Sequence, residues 1–263
     1  MTVDTSGIGG YAVISTPLQQ ATGSGIVSVP LPDAVKNAKL TGSPEVAITG
    51  GGGTGAQAYA DFDSTTRKVT GVHVICPGWD YETAPTATFK MGSVTLGTST
   101  CAIAANKPGR LIKKGANTLR LNAVNTYTGD TVLEGGTLQA TVEGAIPAKT
   151  RVVFAGGVMN CGSYTKPTKY AIDLKQVKAS GAPVAYNTAL SFPVGSTLEL
   201  IDGGTLSEGD PTKIVLFKMG SGAVLSGTEN VTLTGVDTKN WHLAWTGDSL
   251  KVVKNLGTII TIR

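Results

Sequence analysis

Short runs of alternating apolar and polar residues recur along most of this chain. Between residues 116 and 140, Leu119 and Leu121 alternate with polar neighbours, a polar turn follows, and Leu138 opens another run. This period of two predicts short, half-buried β-strands. A unit so short cannot bury its apolar face alone, so we expect it to stack on similar units. The pattern therefore favours a structural array over an enzyme with a deep pocket.

A second regularity gives the spacing of the array. The element glycine, small residue, Thr or Ser, Leu recurs, and its apolar positions differ by about 20 residues, which is typical of a solenoid. We predict an all-β fold, a parallel β-helix with an N-terminal hairpin-rich section, in which one inward column of side chains contains Leu119, Leu138, Val158 and Leu198. The register blurs after about residue 205.

The chain divides near Pro108 and Gly109, where the character of the repeat changes. We expect an N-terminal extension over 1–19, a glycine-rich hairpin section over 20–108 and the β-helix over 109–263. In the hairpin section, small residues alternate with polar ones between 56 and 62, and the returning strand covers 69–76. Residues 170–179 fit a strand pair slightly better than a short helix.

Composition narrows the class of protein. Glycine accounts for 35 of 263 residues, and charged residues for only 15% against roughly 25% in an average protein. The net charge of +4 is scattered, with only Lys113 and Lys114 adjacent, so we read the lysines as solvated and expect no nucleic-acid partner.

Cys76, Cys101 and Cys161 lack metal-ligand spacing; one disulfide, Cys76 to Cys101, and three free thiols both remain open. No apolar stretch is long enough for a membrane helix, so we expect no membrane insertion.

Residues 111–140 resemble a known family. Thr118 to Leu121, Asn125 to Thr131 and Gly136 to Leu138 match the autotransporter-associated β-strand repeat, with Asp130 where that repeat usually has glycine. The resemblance implies a right-handed β-helix in the passenger of a secreted or outer-membrane-associated surface protein of a Gram-negative-type bacterium, with a structural or adhesin role. Residues 50–86 also resemble a glycine-rich repeat of bacterial surface and phage structural proteins.

The ends of the chain carry further expectations. The first fifteen residues lack the basic segment followed by an apolar one that marks a signal peptide. The translocator barrel that usually follows such passengers has no counterpart in the last residues. We therefore expect either an excised passenger fragment or a family membership that is only architectural.

Four aromatic residues are candidate contacts for a surface glycan or a host protein, because aromatic rings on loops and strands often serve recognition. They are Trp79, Tyr81, Trp241 and Trp245. We predict no catalytic, metal-binding or cofactor-binding residues. A nucleophile pair of His73 and Cys76 is disfavoured, because positions i and i+3 of a strand point to opposite faces.

Acidic pairs with a spacing of two occur at 61 and 63, 80 and 82, and 208 and 210, and each fits a solvated turn. Two alternatives remain. One is a β-helix polysaccharide lyase or hydrolase, whose site would have to draw on Lys169, Asp173, Lys175, Glu199 and Asp202. The other is a segment of a phage tail fibre or tailspike.

Overall fold

The computed structural model describes residues 1–160, 164, 167–180, 184–186, 190–207, 209, 211, 213–220, 225–246 and 248–255. The protein is predominantly β, with parallel sheets. It forms two compact units: residues 1–20 together with 109–263 make the first, and residues 21–108 make the second. The chain thus leaves the first unit after Gln20 and re-enters it at Gly109.

Short strands make up nearly all the regular structure. Before residue 109 they are β1 (Thr2–Asp4), β2 (Tyr11–Ile14), β3 (Ser24–Ser28), β4 (Glu45–Thr49), β5 (Thr54–Asp63), β6 (Lys68–Trp79), β7 (Thr86–Met91), β8 (Val94–Thr100) and β9 (Ala102–Ala105). After residue 109 they are β10 (Leu111–Lys114), β11 (Thr118–Leu121), β12 (Thr131–Leu133), β13 (Thr137–Ala140), β14 (Arg151–Phe154), β15 (Val158–Asn160), β16 (Lys169–Asp173), β17 (Val184–Tyr186), β18 (Leu190–Ser191), β19 (Ser196–Ile201), β20 (Lys213–Met219), β21 (Leu225–Ser226), β22 (Val231–Thr234), β23 (Trp241–Thr246) and β24 (Ser249–Lys254). The helices are α1 (Asp33–Asn37) and α2 (Leu174–Ser180), with single 3₁₀ turns at Gly203–Thr205 and Thr228–Asn230.

Two sheets organise the first unit. The first sheet has the order β1-β10-β12-β14-β16-β19-β22, and the second has the order β2-β11-β13-β15-β17-β20-β24-β23. Neighbouring strands are parallel except for β24, which lies antiparallel to both β20 and β23. Each pass of the chain supplies one strand to each sheet, except that after β22 both β23 and β24 join the second sheet. We call such a pair of strands, with its connecting turn, a rung.

The residues that we expected to form an N-terminal extension are the first rung. Strand β1 pairs in parallel with β10, and β2 pairs in parallel with β11. The alternation in Tyr11–Ile14, with Ala12 and Ile14 packed against the core, explains why this segment joins the sheet. The sequence pattern did not reveal this pairing, because the two strands precede their partners by about 110 residues.

The inward columns differ in part from the predicted one. Leu119 lies beside Leu138, and Leu138 lies beside Met159; all three are fully buried. Val158 is therefore one residue out of register and only partly buried. Leu198 is buried in the other sheet, between Tyr170 and Leu233. The prediction was right for the first two members and wrong for the last two, because it counted a fixed period instead of following the glycine pair at 156–157.

The segment at residues 170–179 is half strand and half helix. Strand β16 ends at Asp173, and α2 begins at the next residue. The Asp173 carboxylate accepts a hydrogen bond from the Gln176 backbone N–H at 3.2 Å, as side chains at helix starts commonly do. The expected strand was therefore correct for its first half only.

The second unit has a separate core of mostly small and β-branched residues around Phe89 and Tyr81. Strands β5 and β6 form the predicted antiparallel hairpin. Ala56, Ala58, Ala60 and Phe62 all pack against the core, which confirms the predicted small-residue face.

Candidate functional site

Several side chains of residues 111–140 form hydrogen bonds with neighbouring rungs. Asn125 is buried, its Oδ1 accepts from the Leu18 N–H at 2.7 Å, and its Nδ2 donates to the Ala145 carbonyl at 2.6 Å. One side chain thus connects the rung before it and the rung after it. A turn in this position would otherwise leave those buried backbone groups without partners, which is costly.

Tyr127 and two threonines connect the next turn. The Tyr127 hydroxyl lies 2.8 Å from Thr131 Oγ1, which lies 3.4 Å from Thr150 Oγ1 in the following rung, and Thr150 donates to the Gly129 carbonyl. Burial raises the pKa of Tyr127 to about 12, and the hydrogen bond to Thr131 opposes part of that rise. The ring also lines a cavity of about 330 Å³ beside Leu18 and Leu111.

Lys113 is the largest departure from the sequence prediction. We expected a solvated lysine, yet its side chain is fully buried at an inward position beside Leu133. The Nζ atom donates to the carbonyls of Lys114, Gly115 and Gly135 at 2.7, 2.7 and 2.9 Å. Burial lowers the pKa of Lys113, and the charge of Asp4 partly opposes this. The alternation of Leu111 with Lys113 is the signal that could have revealed it.

Gly136 allows two turns to approach each other closely. Its φ is +61°, and a Cβ there would lie 2.4 Å from the Gly115 carbonyl oxygen and 2.5 Å from that of Asn117. Both neighbours are backbone atoms of the preceding rung and cannot rotate away. The glycine of the repeat is therefore required both by backbone conformation and by space.

Asp130, the residue that departs from the usual repeat, takes part in an ion-pair network. Arg151 bonds Asp130 through Nη2 at 2.7 Å and Glu199 through Nη1. Its bonds to Asp130 and Glu199 raise the pKa of Arg151, and burial opposes the rise. Glu199 is thus paired, and Asp173 supports α2, so two members of the alternative carboxylate site already have structural partners.

The four aromatic candidates fall into two classes. Tyr81 and Trp241 are buried, each in the core of its own unit. Trp79 and Trp245 remain 41% and 47% exposed. The glycine-rich stretch explains the packing of Tyr81 and Trp79, because a Cβ at Gly53 would meet the Tyr81 ring at 2.4 Å and one at Gly55 would meet the Trp79 ring at 2.3 Å. These glycines make room for two rings.

The remaining candidates have local partners. Asp63 accepts from the Thr65 N–H and the Thr66 hydroxyl, and these bonds lower its pKa. Cys76 and Cys101 are free thiols, and burial raises the pKa of Cys101. Cys161 and residues 208 and 210 lie outside the described residues. Within the described ranges, no three His, Cys, Asp or Glu residues gather where a metal could bind, and no helix is long and apolar enough to span a membrane.

One cluster was missed by the sequence reasoning. On the hairpin of β5 and β6, the His73 Nε2 atom lies 2.5 Å from Asp61 Oδ2, and the His73 ring stacks on Tyr59 with centroids 5.3 Å apart. The three residues are brought together by cross-strand pairing, since Tyr59 lies directly opposite His73. Their spacing along each strand was visible in the sequence, but their register was not.

Comparison with known proteins gives one positive result. No curated protein and no solved structure matches the chain significantly. The family model described as passenger-associated-transport-repeat matches residues 111–140. The match covers the residues whose contacts run from rung to rung, and it confirms the resemblance drawn from Thr118, Asn125, Tyr127 and Gly136. Residues 111–140 of this chain are thus similar to the passenger-associated transport repeat.

Proposed function

We propose that this chain is a non-enzymatic structural segment of an autotransporter-like passenger, exported to the surface of a Gram-negative-type bacterium. The observation that supports this proposal best is the use of the repeat residues. Lys113, Asn125 and Gly136 each serve contacts with a neighbouring rung. Residues that align successive rungs in this way have a structural role, as the proposal requires.

We further propose that the stacked rungs form a right-handed parallel β-helix. Successive strands of the first sheet are parallel, and each is reached by way of a strand in the second sheet. Parallel crossovers of this kind are right-handed in nearly all proteins because of the twist of β-strands. An experimental structure that showed left-handed crossovers would contradict this part.

Surface contact is the adhesive part of the proposal. Trp79 and Trp245 are the two predicted contact residues whose rings reach solvent. We propose that a surface glycan or a host protein binds at these two residues. Alanine at each position should weaken cell-surface binding without altering the thermal transition of the protein.

The export role can be tested with the full chain placed between a cleavable export signal and a translocator barrel in a Gram-negative host. We expect it to reach the surface and to become sensitive to external protease only after partial unfolding. Gly136→Ala should lower surface display, whereas Gly195→Ala, which has a similar backbone conformation but an open environment, should change it little. Equal display of both variants would contradict the scaffold role.

The non-enzymatic part needs its own test. The purified chain should release no products from a panel of bacterial and host polysaccharides. Turnover that disappears in Glu199→Gln or Asp173→Asn would establish the lyase or hydrolase alternative instead.

A further inference from the structure

The Tyr59–Asp61–His73 cluster lies on an exposed face of the second unit. Tyr59 is 47% exposed, and the side chains of His73 and Asp61 are 59% and 39% exposed. Ile75, two residues beyond His73, is also strongly exposed. A tyrosine ring, an imidazole, a carboxylate and an aliphatic side chain are therefore presented together to solvent. We call Tyr59, Asp61, Gly71, His73 and Ile75 the hairpin face.

The backbone is irregular on both sides of the cluster. The register of β5 and β6 shifts between Gln57 and Ala58, and shifts again between Asp61 and Phe62. Such bulges insert an extra residue into one strand, increase the local twist and re-aim side chains, and they are frequent beside functional sites. The regular stretch between the two shifts carries the cluster.

Two polar atoms of the cluster can still accept or donate a hydrogen bond. Asp61 Oδ2 is engaged by His73, but among the described residues neither Asp61 Oδ1 nor His73 Nδ1 has a hydrogen-bond partner. Gly71 lies directly opposite Asp61, and a Cβ there would come no closer than 3.8 Å to Asp61 Oδ2. The carboxylate is therefore open to an incoming hydroxyl group on the side where most residues would place a side chain.

We propose that the hairpin face binds an uncharged polysaccharide. Exposed ring faces suit the apolar faces of sugar rings, and the free carboxylate oxygen and imidazole nitrogen suit sugar hydroxyls, which both donate and accept hydrogen bonds. This inference rests on the proposed surface location. It narrows the ligand to an uncharged polysaccharide and adds a binding site distinct from the four predicted aromatic contacts.

The charges of the face favour this ligand over other macromolecules. Its one carboxylate is paired with His73, and no lysine or arginine belongs to it, so a nucleic acid has no basic surface to bind. An acidic polysaccharide would meet the Asp61 carboxylate unfavourably. Added β-strands attach to sheet edges, whereas these side chains project from the face of the hairpin. A neutral, hydroxyl-rich chain is complementary to what remains.

Depletion of the full-length protein by insoluble polysaccharides tests the proposal. Cellulose, chitin and an insoluble β-glucan are incubated with the protein, and the unbound fraction is measured. We expect saturable binding to at least one of them. Tyr59→Ala should weaken it at least tenfold, whereas Tyr59→Phe, which keeps the ring, should stay within about twofold of wild type.

Gly71→Thr is a second, independent variant. The position has open space and no left-handed φ, so threonine, which strands favour, should leave the thermal transition unchanged while blocking the approach to Asp61. Binding should again fall at least tenfold. Val94→Thr, at an exposed position in β8, serves as the matched control and should bind like wild type.

Three results would overturn the proposal: no binding to any of the three polymers, unchanged binding by Tyr59→Ala and Gly71→Thr, or loss of binding only in Trp245→Ala. Absent binding by a protein that is displayed normally at the cell surface would refute this ligand and leave the passenger role standing. Failure of display with intact binding would do the reverse.

Discussion

The close approach of Gly136 to the preceding rung allows a quantitative prediction. Gly136→Ala places a Cβ 2.4 Å from a carbonyl oxygen of the rung before it, at a φ of +61°. The left-handed conformation costs about 1–2 kcal/mol for a residue with a Cβ. Overpacking against atoms that cannot rotate away costs a further 1–3 kcal/mol or so. We therefore expect the free energy of unfolding to fall by about 2–5 kcal/mol.

Gly195→Ala separates the two contributions. Its φ is +80°, and a Cβ there would have no neighbour within 4 Å. It should lose only the conformational part, about 1–2 kcal/mol. Urea unfolding followed by far-UV circular dichroism measures both losses, and hydrogen exchange resolved by peptide shows whether the β11 and β13 amides open first. Equal losses for the two variants would refute the role assigned to the close approach between rungs.

Three further changes follow from single side chains. Lys113→Met should cost about 1–3 kcal/mol in urea unfolding, because buried carbonyl groups lose their donor, whereas Lys114→Met, at a half-exposed ion pair, should cost well under 1 kcal/mol. Tyr127 has a folded pKa of about 12, above its ordinary value of 10.0, so its contribution to the free energy of unfolding is complete below pH 10 and is lost as the pH rises towards 12. This loss of about 3 kcal/mol in the free energy of unfolding should be absent in Tyr127→Phe. Arg151→Met should cost at most about 1 kcal/mol, and the cost should shrink in high salt, because the ion pairs are partly solvated. A salt-independent loss would contradict the electrostatic explanation.

Local pattern predicted the strands well where the contacts are also local. Alternation found β11, β13 and the hairpin of β5 and β6, and the glycine spacing placed Leu119 beside Leu138. The same reasoning failed for β1 and β2, whose partners lie about 110 residues away. No period can reveal a pairing that an inserted unit interrupts.

The nature of the interior side chains was harder to predict than their positions. Lys113 and Asn125 occupy buried positions because backbone carbonyl and amide groups at the turns need partners there. Hydropathy assigns such residues to the surface. Trp241 shows the converse, since we expected it to be a surface contact, yet it is buried while Trp245 reaches solvent.

The site on the hairpin face depends on register, which sequence spacing alone leaves open. Tyr59 and His73 meet because the pairing of β5 and β6 shifts by one residue between Asp61 and Phe62. A uniform hairpin with the same turn would pair different residues. The cluster could therefore be recognised only once the strands had been aligned in space.

The second unit lies between Gln20 and Gly109 in the sequence, so strands that pair with each other in the first unit are synthesised far apart in time. Strands β1 and β2 appear first, but their partners β10 and β11 appear only after the whole second unit. The Gln20 side chain then accepts hydrogen bonds from the Gly109 N–H and the Thr128 hydroxyl, which joins the exit and the return of the chain. Contacts this distant in sequence form slowly. The backbone groups of β1 and β2 that face β10 and β11 therefore gain these partners only after the whole second unit has been synthesised.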